Sequence, residues 1–147
     1  MTDPTPRVLF LCTHNSARSQ MAEGLLRHLS GGRVAALSAG TQATAVRPLA
    51  VRAMAELGID LRGQASKTLT RYLGESFDAV ITVCDDANAS CPVFPGARAR
   101  LHWSLPDPSR ATGSEAEQLA VYRRVRDALR RRITTELLPW LAPAALG

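Results

Sequence analysis

Five residues separate Cys12 from Arg18 in "LCTHNSARSQ", between a strongly apolar run and the start of a helical pattern. A loop of this length joining strand to helix can turn successive backbone N–H groups inward. With the positive helix N-terminus, they cradle a tetrahedral oxyanion. Arg18 adds a planar fork able to grip two of the anion's oxygens. The same positive surroundings stabilise a thiolate, which makes Cys12 a candidate nucleophile. Thr13, His14, Asn15, Ser16 and Ala17 form the loop that would line the anion. The Ser16 and Ser19 hydroxyls can donate to the sulfur or the loop, and Asn15 suits a strained turn. The bland alternative, a core cysteine near an unrelated surface arginine, leaves the clustering of Asn15, Ser16 and Ser19 unexplained.

Such a loop needs a buried strand before it and an amphipathic helix after it. "RVLFLC" reads as the strand, and "SQMAEGLLRHL" has helical spacing through Met21, Leu25, Leu26 and Leu29. "GGRVAALSAG" is a second strand between glycine breaks. Pro48 opens a helix, "PLAVRAMAELG", closed by Gly58. A short helix is expected after Ser66, with Leu69, Tyr72 and Leu73 on its apolar side. "FDAVITVC" is a third strand, nearly continuous in apolar residues, as a strand covered on both faces should be. "ARLHWS" is a weaker fourth. Ser114 and Glu117 form a capping box before a long helix with Leu119, Tyr122, Val125, Leu129 and Ile133 on one face, ended by Pro139.

Strands alternating with helices predict an α/β fold in a single domain, residues 1–147: a four-stranded parallel sheet flanked by helices on both faces. Ligands in such folds bind beyond the carboxyl ends of the strands. Cys12 and Cys84 both end strands on that edge. Asp107, a few residues past the fourth strand, is either a turn residue ahead of Pro108 or a third member of the same site.

Composition narrows the function classes. No apolar run reaches the length of a membrane span, and "MTDPTPR" lacks a signal peptide's layout, so a cytoplasmic protein without membrane attachment is expected. The net charge is +5, which favours anionic partners, yet all of the 18 basic residues except Lys67 are arginine, a skew that reads as compositional habit. The densest group, Arg123, Arg124, Arg126, Arg130, Arg131 and Arg132, is expected to be a solvated helix face complementing the C-terminal dipole. No aromatic residues interleave with these arginines to stack bases, so a nucleic-acid partner is not expected. Three cysteines without a secretion signal argue against a disulfide framework, and the lack of CxxC pairs argues against zinc or another metal. Reactive thiols are the better reading.

Taken together, "CTHNSARSQMAEG", "LSAGT", "VITVCDDANASCP" and "LHWSLPDPSR" resemble the thioredoxin-coupled arsenate reductases, which are built on the low-molecular-weight tyrosine phosphatase fold. The resemblance spans about residues 7 to 135 and includes all three cysteines. It implies Cys12 as nucleophile, Arg18 as oxyanion binder, Asp107 as general acid, and Cys84 with Cys91 as a redox pair. It further implies arsenate as substrate, no bound cofactor, thioredoxin as electron donor, and a monomer. His14 stands where the phosphatase relatives usually carry glycine. A phosphatase acting on phosphate monoesters is the main rival, but it has no use for Cys84 and Cys91, and Ser109 and Arg110 replace the tyrosines that line the cleft of those relatives. An arginine-rich binding module is the second rival, supported by net charge alone.

Further expectations follow. Some relatives hold potassium through residues matching Asn15, Glu23 and Ser38 plus an acidic residue; here Lys67 occupies that acidic position, and its ammonium is expected to pair with Glu23. His102 and Trp103 are expected to pack the fourth strand, His28 to lie on the surface, and Asp85 and Asp86 to be solvated. If residues 84 to 91 were helical, the Cys84 and Cys91 Cα atoms would be about 10 Å apart at ~1.5 Å per residue. A disulfide needs roughly 7 Å or less, so a wholly or partly helical reduced segment that unwinds on oxidation is expected.

Overall fold

In the computed structural model, residues 5–85 and 94–141 are described. Four parallel strands form one sheet in the order β2-β1-β3-β4: β1 Arg7–Cys12, β2 Ala35–Gly40, β3 Phe77–Thr82 and β4 Ala97–His102. The central strands explain their own sequences. From Val8 to Leu11 every residue is fully buried, as are Ala79, Val80 and Ile81, because both faces of these strands are covered. The fourth strand is weak in sequence because it ends the sheet; its residues alternate between half-buried and exposed.

Helices α1 Arg18–Leu29, α2 Pro48–Ala55 and α3 Glu115–Arg132 build one layer. Met21, Leu25, Leu26, Met54, Leu119, Tyr122, Val125 and Leu129 pack there against Val8, Phe10 and Ile81. Trp103 joins this core, its ring 6.1 Å from that of Phe10, which meets the packing role expected of it. On the opposite face a 3-10 helix, Leu69–Tyr72, packs Leu69 and Tyr72 against Leu9, Leu11, Phe77 and Val80. Leu73, expected on that apolar side, instead lies just past the turn and is 37% exposed. His28 is exposed as expected.

Two expectations about the last helix are corrected. Pro139 does not end it. The chain widens into a π turn, Ile133–Leu137, in which the Leu138 N–H donates to the Ile133 carbonyl, and continues as α4 Leu138–Leu141. A wider turn accommodates a proline ring that would clash with the carbonyl four residues earlier in regular α geometry. The arginine cluster is also not simply a solvated face. Arg126 is buried, and its Nη1 donates to the Ala53 carbonyl at 2.7 Å and to Glu56 Oε1 at 2.8 Å. Arg123 Nε reaches both Glu56 oxygens. These hydrogen bonds from Arg123 and Arg126 pull the Glu56 carboxyl down to about 2 and fasten α3 to the end of α2.

The capping box forms as expected: Ser114 Oγ accepts from the Glu117 N–H at 3.1 Å, and Glu117 Oε1 from the Ser114 N–H at 3.1 Å. Ser114→Ala should cost about 1 kcal/mol of stability. A lower urea midpoint with an unchanged slope would report it.

Candidate active site

The carboxyl end of β1 runs directly into the loop 13–17, and the loop into α1. Nearly every carbonyl of this stretch is tied outward. The Thr13 oxygen accepts from the Gln42 N–H (2.9 Å) and Thr41 Oγ1 (3.1 Å), and the His14 oxygen from Thr44 Oγ1 and Ser66 Oγ (3.1 Å each). The Asn15 oxygen accepts from Gln20 Nε2 (3.0 Å) and the Ser16 oxygen from the Arg47 N–H (2.8 Å). A loop whose carbonyls are engaged in this way leaves its N–H groups for an anion. Helix α1 begins at Arg18 with no side-chain cap and no acidic residue in its first turn, so its positive end is not neutralised from within.

Asn15 has φ 49°, the one described non-glycine residue with positive φ, and its amide fixes that conformation. Asn15 Oδ1 accepts from the Lys67 N–H (2.8 Å) and Gln20 Nε2 (2.9 Å). Its Nδ2 donates to Ser38 Oγ (3.0 Å) and to Ser19 Oγ (2.8 Å). Ser38 Oγ donates to Glu23 Oε1 at 2.6 Å. Ser19 Oγ, which accepts from Asn15, also lies 2.8 Å from Cys12 Sγ, a contact in which either atom can donate. The sulfur is buried, with a hydroxyl as its hydrogen-bond partner.

The mouth of the loop is a cavity of about 240 Å³ lined by Thr13, His14, Arg18, Cys84, Asp85, Leu105, Asp107 and Arg110. Arg18 is held by the Leu105 carbonyl (Nη1, 3.0 Å) and lies 3.6 Å from Asp107 Oδ2. Asp107 caps its own turn, accepting from the Ser109 N–H (3.0 Å) and Ser109 Oγ (2.7 Å), and Arg110 Nε lies 3.9 Å from Oδ2. Burial pushes the Asp107 carboxyl up, but the Ser109 bonds and the Arg18 and Arg110 charges outweigh it and hold the group below its usual value. Cys84 Sγ lies 3.4 Å from Thr13 Oγ1 and is 2% exposed, so a second thiol sits against the Cys12 loop. Neither cysteine is in a disulfide.

Cys12, Arg18, Asp107 and Cys84 are therefore brought together. Cys91 and Asp86, and with them the expected helix between the cysteines, lie outside the described residues. Asp85 is solvated as expected, its side chain 76% exposed, but it also bonds His102, which therefore does more than pack its strand. Gln20 and Gly40 were not singled out by sequence. Gln20 is fully buried and links Asn15 to the Ala65 carbonyl at 3.0 Å. A Cβ on Gly40 would stand 2.7 Å from the Asn15 nitrogen and the Thr13 and Gln42 oxygens, so only glycine lets β2 pass beneath the loop.

Lys67 approaches Glu23 as expected, with Nζ 3.9 Å from Oε1; Arg27 Nη2 holds the other oxygen at 2.7 Å. Burial draws the Lys67 ammonium below its usual value, with Glu23 opposing. A cation already stands beside the Asn15–Ser38–Glu23 chain. Melting temperature should therefore be the same in potassium as in sodium at equal ionic strength; a clear rise in potassium would contradict this arrangement.

Comparisons with known proteins agree with this geometry. Residues 7–142 match the family described as low molecular weight phosphotyrosine protein phosphatase. An arsenate reductase of Halalkalibacterium halodurans is 45% identical over 128 residues, covering 87% of this chain and 92% of the relative. Among solved structures, an arsenate reductase in the phosphate-binding state superposes with a TM-score of 0.75 at 31% identity, covering 91% of this chain and 98% of that one. A thioredoxin-dependent arsenate reductase of Corynebacterium glutamicum superposes with a TM-score of 0.66 at 29% identity, covering 95% of this chain and 65% of that longer one. By sequence and by fold, the chain belongs to the low-molecular-weight phosphotyrosine protein phosphatase family.

Proposed function

We propose that the protein reduces arsenate to arsenite through a thiol relay reset by thioredoxin, in the cytoplasm, as a monomer of one domain with no bound cofactor. The observation that carries the reading is the second thiol. Cys84 lies against the Cys12 loop within the anion cavity, where phosphate-ester hydrolysis would need no sulfur. The described cavity lining is largely charged and holds no Phe, Tyr or Trp to receive a phenyl ring. The curated and structural relatives named arsenate reductase, one of them thioredoxin-dependent, support the same reading. Reduced thiols suit a reducing compartment. Among the described residues no helix is long and apolar enough to cross a membrane.

In this scheme arsenate enters the loop, where the N–H groups of residues 13–17, the α1 N-terminus and Arg18 hold its oxygens. The Cys12 thiolate attacks arsenic, and the leaving hydroxide departs as water with a proton from Asp107. Because Asp107 is held in its ionised form before substrate arrives, that proton comes with the incoming hydrogen arsenate. Cys84 then attacks the Cys12 sulfur. The sulfur–arsenic bond breaks, its electron pair stays on arsenic, arsenite leaves, and a Cys12–Cys84 disulfide remains. Cys91 attacks Cys84 and releases Cys12, and a thioredoxin dithiol takes over the Cys84–Cys91 disulfide. Hydrolysis of small aryl phosphates uses the same Cys12, Arg18 and Asp107 and is retained as a weak side activity.

The direct test is arsenate-dependent NADPH consumption with thioredoxin and its reductase, compared with glutathione and glutaredoxin. Turnover is expected with the first pair. Cys12→Ser should abolish it while phosphate affinity stays within a fewfold, since the loop amides and Arg18 remain; arsenate reduction by this variant would refute the scheme. Cys91→Ser should stop after one turnover as a Cys12–Cys84 disulfide, visible in mass maps of non-reduced peptides. Steady cycling of that variant with thioredoxin would remove Cys91 from the relay.

A further inference from the structure

One imidazole joins the carboxyl ends of β3 and β4 to the residue after Cys84. Thr82 and His102 are register partners at the ends of the two strands. His102 Nδ1 lies 2.8 Å from Thr82 Oγ1, and its Nε2 lies 2.8 Å from Asp85 Oδ1. With Nδ1 engaged by the threonine hydroxyl, Nε2 is the nitrogen that donates to the carboxylate. The Asp85 side chain is 76% exposed and, from the surface, reaches His102 on β4. Hydrogen bonds from His102 and then Ser104 hold its carboxyl below the usual range.

This contact completes a clamp around Cys84. Upstream, the Val83 N–H donates to the Leu11 carbonyl at 2.8 Å, tying the end of β3 to β1 one residue before Cys12. The Trp103 N–H donates to the Thr82 carbonyl at 2.8 Å and ties the same place to β4. Downstream, the Asp85 side chain is held at the end of β4 by His102, with a further hydrogen bond from Ser104. Between these points Cys84 is buried with its sulfur beside Thr13. His102 itself is not among the residues lining the anion cavity.

We propose that His102 is a positioning residue for thiol exchange: by holding Asp85 against the end of β4, it fixes the Cys84 sulfur beside the Cys12 loop. It thereby sets the rate of Cys12–Cys84 disulfide formation without contributing to oxyanion binding. The proposal rests on the reading of Cys84 as the thiol that attacks Cys12. In that step the Cys84 thiolate forms the sulfur–sulfur bond, the sulfur–arsenic bond breaks, and its electron pair reduces arsenic. His102 supplies alignment alone and takes no proton. Alignment matters because a displacement of about 1 Å between reacting atoms can slow a positioned reaction by up to ~10²-fold.

The test uses the full chain carrying Cys91→Ser, in which exchange stops at the first disulfide. After mixing with arsenate and rapid quenching, His102→Ala should form the Cys12–Cys84 disulfide about tenfold more slowly than its parent, an effect on the order expected for lost alignment. Phosphate affinity should stay within about twofold. His102→Gln, whose amide nitrogen can still donate to Asp85, should recover most of the rate. If the alanine variant does not fold, His102→Phe fills the space without the bonds and carries the same expectation. A parental rate without the imidazole, or an equal loss of phosphate affinity, overturns the proposal. A second measurement needs no arsenate: mass-mapped alkylation of reduced protein by iodoacetamide. Cys84 should react several-fold faster in the alanine variant, with Cys12 unchanged. If the parent proved unable to reduce arsenate, the functional reading would fall, and this measurement would judge the clamp by itself; an unchanged Cys84 rate would reject it.

Discussion

The site depends on one side-chain amide. Asn15 occupies a left-handed backbone conformation that most side chains avoid, and its amide makes four hydrogen bonds, two through Oδ1 and two through Nδ2, that keep it there. With that residue pinned, the loop carbonyls are engaged by residues 20, 41, 42, 44, 47 and 66. The same amide donates to the Ser19 and Ser38 hydroxyls, and Ser19 in turn stands 2.8 Å from the Cys12 sulfur. Loop geometry and the surroundings of the thiol thus depend on a single buried group, which is why Gln20, Ser38, Glu23 and Lys67, none of them lining the cavity, matter to the site.

A second constraint comes from the sheet. Parallel strands β1 and β3 end together, so residues that directly follow them are delivered to one place regardless of their separation in sequence. Cys12 and Cys84 are neighbours for that reason. Asp107 arrives separately, on a turn that its own carboxylate caps. Its environment balances opposing effects, with burial favouring the neutral acid and Ser109, Arg18 and Arg110 favouring the anion. An incoming oxyanion alters that balance, since it competes with Asp107 for the Arg18 guanidinium.

Much of this was legible in the sequence. The strands and helices follow from apolar periodicity, and the oxyanion loop follows from Cys12, Arg18 and the small polar residues between them. What was not legible depends on distances between segments remote in the chain. Gly40 looks like any strand-ending glycine until Thr13 and Asn15 pass 2.7 Å from where its Cβ would stand. His102 looks like strand packing until Asp85 folds back onto it. Arg126 reads as one more surface arginine until α2 presents Glu56 and the Ala53 carbonyl. Pro139 reads as a terminator because local rules assume regular α geometry, which the π turn relaxes.

The two outer strands meet the hazard of an open sheet edge differently. At the end of β2, the Gly40 N–H donates to the Lys67 carbonyl at 2.9 Å, so the chain itself pairs the last residue of that edge. At β4, Arg98 and Arg100 occupy the exposed positions of the alternating pattern, with Arg98 80% exposed. Charged side chains along a terminal strand make it a poor template for a strand from another molecule, because pairing would bring like charges together and strip their hydration. Part of the chain's excess of arginine is thereby placed where it opposes self-association, a role in colloidal stability separate from any affinity for anions.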